Sequence, residues 1–186
     1  MSALRWGVAP PEIVLLHGGA QNAHTWDTVA LALGRPLLAI DLPSHGHSDS
    51  SPPGGALNPV AAAVDVAAAI DALAPAAKAV VGMSFGGMIA IALASARPEL
   101  VRRLVLVDVT PGVTTKKASQ IVKFVNGPPA FDSFEHILAR TMQFNPTRTE
   151  ASLRRGILHN AEQRADGTWV WRQCAGGVPS LDPPAL

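Results

Sequence analysis

Cysteine is nearly absent from this chain of 186 residues: Cys174 stands alone. No intrachain disulfide can form, and nothing points to an oxidising compartment. Long apolar runs are missing as well, and the IVLL stretch near the start is too short for the core of a secretion signal. The expectation is a cytoplasmic chain without a membrane partner. Nor is there an excess of charge of one sign. With 15 Lys and Arg against 14 Asp and Glu the net charge is +1, and the basic residues of the second part are interspersed with acids rather than drawn into a stripe with stacking aromatics. Nucleic acid is therefore not an expected partner. What is there, 48% hydrophobic and 16% charged residues, is the composition of a folded globular chain of one-domain size. No internal repeat is present.

Short apolar runs alternate with longer helical ones in the first part. EIVLLH (12–17), RPLLAIDLP (35–43), AVVGMS (79–84) and VRRLVLVDV (101–109) are rich in β-branched residues or leucine and close on turn signals, as buried parallel strands do. Between them AHTWDTVALALG (23–34), NPVAAAVDVAAAIDALAP (58–75) and FGGMIAIALASARP (85–98) are long enough for helices and are bounded by glycine or proline. The order βαβαβαβ predicts an α/β fold with a parallel sheet covered by helices on both faces. Before residue 12 only LRWGV is available for a further strand. From about residue 114 strand-like runs vanish, and KASQIVKFVNG, FDSFEHILARTMQF and TEASLRRGILHNAEQRA carry apolar residues at helical spacing. The organisation expected is a core over 1–113, a helical cap-like region over 114–172 and a poorly ordered tail over 173–186.

Gly82-Met83-Ser84-Phe85-Gly86 fits G-x-S-x-G with a strand before it and a helix after it. A serine exposed on so sharp a turn needs neighbours two residues away on either side that are nearly free of side chain, and Gly82 and Gly86 supply that. Placing Ser84 at a helix start also offers free N–H groups to developing negative charge, which makes the Phe85 amide a candidate oxyanion donor. Upstream, His17-Gly18-Gly19 ends the first of the apolar runs, and Gly19 is a second candidate donor. His17 itself reads as a structural residue bonded within its loop. His45-x-His47 in DLPSHGHSD has no third ligand cluster with it, so no metal site is expected.

HGG, DLPSHGHSD, GMSFGG and LVLVDVTPG, in this order and spacing over about residues 13–113, resemble the α/β-hydrolase superfamily. The resemblance implies the third to sixth strands of that family's sheet, a partial core, with the later helical region matching the cap inserted after the sixth strand. It implies a serine nucleophile at position 84 rather than the carboxylate of the dehalogenase and epoxide hydrolase branches. One departure is Ser44, where the family more often has glycine; a serine is tolerated there if its φ is negative.

The triad is incomplete. In the family the histidine follows the last strand, but only His136 and His159 follow Ser84, both within helical stretches. For the acid, some members use a carboxylate at the end of the sixth strand, where Asp108 stands; the alternative is an aspartate that bonds nearby loop amides. The two final strands of the family sheet are not recognisable, which leaves the 101–109 strand as an open apolar edge and suggests a truncated form of a longer hydrolase.

Two functions follow. One is a hydrolase of esters or related carbonyl compounds that uses Ser84, with Gly19 and Phe85 at the oxyanion, no cofactor, and a small-molecule substrate whose apolar portion is received by Phe124, Phe131, Phe134, Met142 and Phe144. The other is a non-catalytic remnant or partner-binding protein that keeps the elbow without its base.

Overall fold

The computed structural model describes residues 1–49, 58–109, 123–124 and 127–172. Five strands, β1 (Ala3–Trp6), β2 (Ile13–Leu16), β3 (Leu37–Ile40), β4 (Ala79–Met83) and β5 (Leu104–Val107), form one sheet in the order β1-β3-β2-β4-β5. The four predicted strands pair in parallel, and the LRWGV stretch supplies β1, antiparallel to β3. Helices α1 (Asp27–Leu33), α2 (Pro59–Leu73) and α3 (Phe85–Ala96) connect them. Pro59 at the first helical position and the Asn58 side chain, which accepts from the Val60 and Ala61 amides, fix the start of α2.

Both faces of the central strands are covered, which is why those strands read as unbroken apolar runs. Val14 and Leu16 of β2, Leu38 and Ile40 of β3 and Val80 of β4 pack with Val66 and Ile70 of α2 and Ile89 and Leu93 of α3. On the other face Leu15, Leu37 and Ala39 meet Trp26 and Ala30. Each fully buried Leu or Ile side chain contributes about 1.5–3 kcal/mol, so the sheet and α2/α3 hold most of the molecule's apolar burial.

A separate small core lies later in the chain. Phe131, Ile137, Leu138, Leu153, Ile157 and Ala161 cluster between α4 (Phe134–Phe144) and α5 (Glu150–Asn160). The helical expectation for this region holds for α4 and α5 but fails after Asn160, where β6 (Ala161–Gln163) and β7 (Trp169–Trp171) form an antiparallel hairpin. Gly167, at φ +87, makes the turn; half-buried Trp169 and Trp171 pack against the small core, and Val170 between them is buried on the other face of the strand. Of the KASQIVKFVNG stretch only Lys123, Phe124 and Gly127 are described, and the 173–186 tail lies outside the described residues.

At the far edge, among the described residues, β5 pairs with β4 alone. Among the described residues all four of its side chains, Leu104 to Val107, stay 37–47% exposed. Among the described residues this edge is open and apolar, as expected.

Candidate active site

The parallel register aligns the carboxyl ends of the strands. Leu16 lies opposite both Ile40 and Gly82, and Met83 lies opposite Val107. The next residues, Asp41 after β3, His17 after β2, Ser84 after β4 and Asp108 after β5, therefore gather at one end of the sheet, the end where open α/β sheets bind ligands.

Ser84 occupies φ 49, ψ −116, a conformation that an L-residue holds only under strain of about 1–3 kcal/mol. What holds it is backbone pairing on both sides. The Ser84 amide donates to the Val107 carbonyl at 2.9 Å, its carbonyl accepts from Gly87 at 2.9 Å, and the Gly86 amide donates to the His17 carbonyl at 3.1 Å. The two elbow glycines are required by space. A Cβ on Gly82 would stand 2.5 Å from the Gly86 carbonyl oxygen, and one on Gly86 would overlap the His17 carbonyl oxygen and stand 2.6 Å from that of Leu16. Gly18 lies against the serine, since a Cβ there would come within 3.5 Å of the Ser84 Cβ. The Gly18 amide is taken by the Gln21 side chain at 2.9 Å. Among the described residues no acceptor engages the Gly19 or Phe85 amides.

His17 is a fastener. Its Nε2 accepts the Leu42 amide at 3.0 Å, so Nδ1 carries the proton and donates to the Gly18 carbonyl at 2.8 Å. Burial first, and then the neighbouring His45, push its pKa down from 6.5 to about 3. His45 repeats the arrangement: Nε2 accepts the Ala20 amide at 3.1 Å while Nδ1 donates to the Pro43 carbonyl at 2.9 Å, and burial again lowers its pKa. Buried Asp41 completes the set by accepting from the Ala23 and His47 amides at 2.8 and 3.0 Å. These three side chains pin the Gly18-Gly19 loop to the 41–49 turn. Within that turn the expectation for Ser44 fails, because its φ is +63. The His45 amide donates to the Leu42 carbonyl at 3.0 Å, which makes Pro43-Ser44 the centre of a turn whose third residue takes positive φ. That geometry is the physical reason glycine suits the position.

Asp108 follows β5 in a left-handed conformation, φ 54, with its side chain exposed and its carboxylate unbonded among the described residues. The two later histidines are elsewhere. His136 is 55% exposed on the first turn of α4, 3.8 Å from Asp132. His159 stacks on His24 with ring centroids 3.7 Å apart. None of the six histidines hydrogen-bonds Ser84.

A cavity of about 330 Å³ opens between the Gly19-Ala20-Gln21 segment and the later helices. Phe124 and Phe144 line it as expected, with Ile157 and Trp171. Phe131 and Phe134 do not. They belong to the small core, and Met142 is 42% exposed. Helical phase explains this: Phe134, Ile137, Leu138 and Thr141 share the face turned toward α5, and Met142 falls off it. Sequence reading missed the polar part of the lining, Thr141, Asn145, Arg148 and Asn160, since ordinary polar residues on helices carry no signal of a cavity. It also missed Asn22, whose Nδ2 donates to the His159 carbonyl at 2.7 Å and to Asn160 Oδ1 at 2.6 Å and so ties α5 to the loop. The N-cap position of Asn22 was its one visible cue.

Residues 13–185 match the sequence profile of the Alpha/beta hydrolase family. The esterase Rv0045c of Mycobacterium tuberculosis is 47% identical over 178 residues, covering 92% of this chain and 59% of that protein. A solved structure of that esterase, reported with its inhibition by transition metals, superposes with a TM-score of 0.83 at 46% identity, over 93% of this chain and 61% of the other. The sn-1-specific diacylglycerol lipase ABHD11 of Xenopus laevis is 34% identical over 177 residues, 89% of this chain and 54% of the lipase. The chain spans little more than half the length of these relatives.

Proposed function

The chain belongs to the alpha/beta hydrolase family, and from that premise we propose that it carries the nucleophile and oxyanion half of an ester hydrolase, with Ser84 as the attacking group. The observation that carries this reading is the strained backbone of Ser84, φ 49 and ψ −116, held between two glycines that no larger residue can replace. In the reaction Ser84 Oγ adds to the ester carbonyl while a base takes its proton. The carbonyl oxygen gains the negative charge, and the Gly19 and Phe85 amides donate to it. The alcohol leaves with the proton from the base, and water then releases the acid by the same two steps. No cofactor enters. Asp108 is the acid in this reading, since it follows the strand whose Val107 carbonyl already bonds Ser84.

The helices of 114–172 act as a cap over the core of 1–113, and the cavity they share with Gly19 receives the apolar part of a small-molecule ester between Phe124, Phe144 and Ile157. Esterase and lipase names among the relatives support an ester as substrate. The lone cysteine favours the cytoplasm; among the described residues no helix is long and apolar enough to cross a membrane.

A second reading has its own observation: no imidazole bonds Ser84, so these 186 residues act without a base, as a fold that binds rather than turns over. Turnover of p-nitrophenyl butyrate by this chain and by its Ser84→Ala variant separates the two. The hydrolase reading expects residual turnover that disappears in the variant, small because loss of a triad member removes roughly 10³-fold or more. Equal rates would leave the binding reading in place.

A further inference from the structure

His24, Asp27 and His159 form a cluster that the hydrolase chemistry does not use. His24 sits in the 3-10 turn Ala23–Trp26, Asp27 opens α1, and His159 lies in the last turn of α5. Their ligand atoms all lie within 4.8 Å of one another. The two imidazoles stack at 3.7 Å with planes 17° apart, and His24 Nδ1 is 3.2 and 3.1 Å from the two oxygens of Asp27. All three groups are partly sheltered, with Asp27 only 15% exposed and His24 31%.

We propose that His24, Asp27 and His159 bind one divalent transition ion of the zinc class, which fastens the end of α5 to the segment that follows the Gly18-Gly19 loop. Two imidazole nitrogens and a carboxylate oxygen are a donor set that suits zinc, nickel, cobalt or copper rather than calcium or magnesium. Metal–ligand bonds of about 2.0–2.2 Å place tetrahedral ligands about 3.3 Å apart, so donors already within 4.8 Å of one another need to close by about 1.5 Å at most to meet on one ion. Arg155 is no obstacle. Its Nη1 bonds Asp27 Oδ2 at 3.0 Å and leaves Oδ1 to the ion. The backbone is held for the purpose, because Asn22 bonds the His159 carbonyl and the Asn160 side chain and accepts the His24 amide at 2.9 Å. No local pattern announces the site, since His24 and Asp27 are three apart on one helical face and His159 comes from the other end of the described chain.

The test is calorimetric titration of the chelator-treated chain with zinc, with cobalt as a spectroscopic stand-in. One equivalent binds, His24→Ala and His159→Ala each weaken binding at least about ten-fold, and His47→Ala, which removes an exposed histidine elsewhere, changes nothing. Because either of the first two substitutions can loosen α5, the wild-type chain gives a second readout: zinc protects His24 and His159, and no other histidine, from modification by diethylpyrocarbonate. Binding weaker than about 1 mM, unchanged affinity in folded variants, or protection of other histidines overturns the proposal.

Discussion

Acidification should weaken this fold well above the range in which carboxylates titrate, and His17 sets the size of the effect. Protonating its ring would put a second N–H at Nε2, opposite the Leu42 amide that it now accepts from at 3.0 Å, inside a fully buried site. The folded pKa is accordingly about 3 against the ordinary 6.5. Between those values the unfolded chain binds a proton that the folded chain refuses. Stability is therefore complete above 6.5 and falls as the pH falls toward 3, at about 1.4 kcal/mol per pH unit once well below 6.5. From about pH 7.5 to about pH 5 the loss from this one residue is about 2 kcal/mol, a factor of roughly 30 in the folding equilibrium. His45, also shifted down by burial, acts in the same direction. Glu12, held below its usual carboxylate range by Lys78 and Arg35, loses its contribution only at lower pH.

Urea unfolding followed by circular dichroism at several pH values from about 7.5 to 5 measures the slope. Nitrogen-detected imidazole spectra identify its source, with His17 remaining in the Nδ1–H form throughout. A flat profile over that range, or a His17 ring that titrates near 6.5, would refute the reasoning and with it the fastening role of the ring.

Two other outcomes follow from the same geometry. Gly86→Ala drives a methyl group into the His17 and Leu16 carbonyl oxygens, which are backbone and cannot turn aside, so it should cost about 3 kcal/mol or more in denaturant unfolding; Gly156→Ala, in α5 with nothing within 4 Å of the added carbon, should instead add about 0.5–1 kcal/mol. Asn22→Ala removes both bonds from Nδ2 to α5 and the cap of the His24 amide, and should destabilise by about 1–3 kcal/mol, with amide exchange speeding up in α5 more than in α2 or α3.

The strands were legible because helices cover both faces of β2, β3 and β4, and double burial leaves an apolar run that no loop imitates. The elbow was legible for a steric reason: only glycine fits at 82 and 86, so the constraint is written into residue identity. Where several residues suit a conformation, identity says less. Ser44 adopts a positive φ that its side chain does not announce. The β6–β7 hairpin is built from AEQ and WVW, three residues each, too short to establish a period of two against the helical pattern just before it. Which phenylalanines face the cavity depends on how α4 is rotated against α5, a tertiary fact. The meeting of His24 with His159 is another, since nothing local records a contact between the turn before α1 and the end of α5.

The candidate site divides along the same line. The half proposed to hold the oxyanion is made of backbone: the Ser84 turn, the Gly18-Gly19 loop and the carbonyls of His17 and Val107 that hold them, all supplied by β2, β4 and β5 and pinned by His17, His45 and Asp41. Backbone groups placed by strand register need no further part of the sheet to hold position, so this half is complete within the described residues. The proposed proton transfer depends instead on side chains, Asp108 after β5 and an imidazole, and none of the six histidines hydrogen-bonds Ser84. At that end the sheet presents, among the described residues, four exposed apolar residues and an unbonded Asp108. If Ser84 and Asp108 act as proposed, the exposed edge and the lack of an imidazole at Ser84 go together: a surface that continued the sheet past β5 would bury Leu104–Val107 and would also be the surface from which a base could reach both residues.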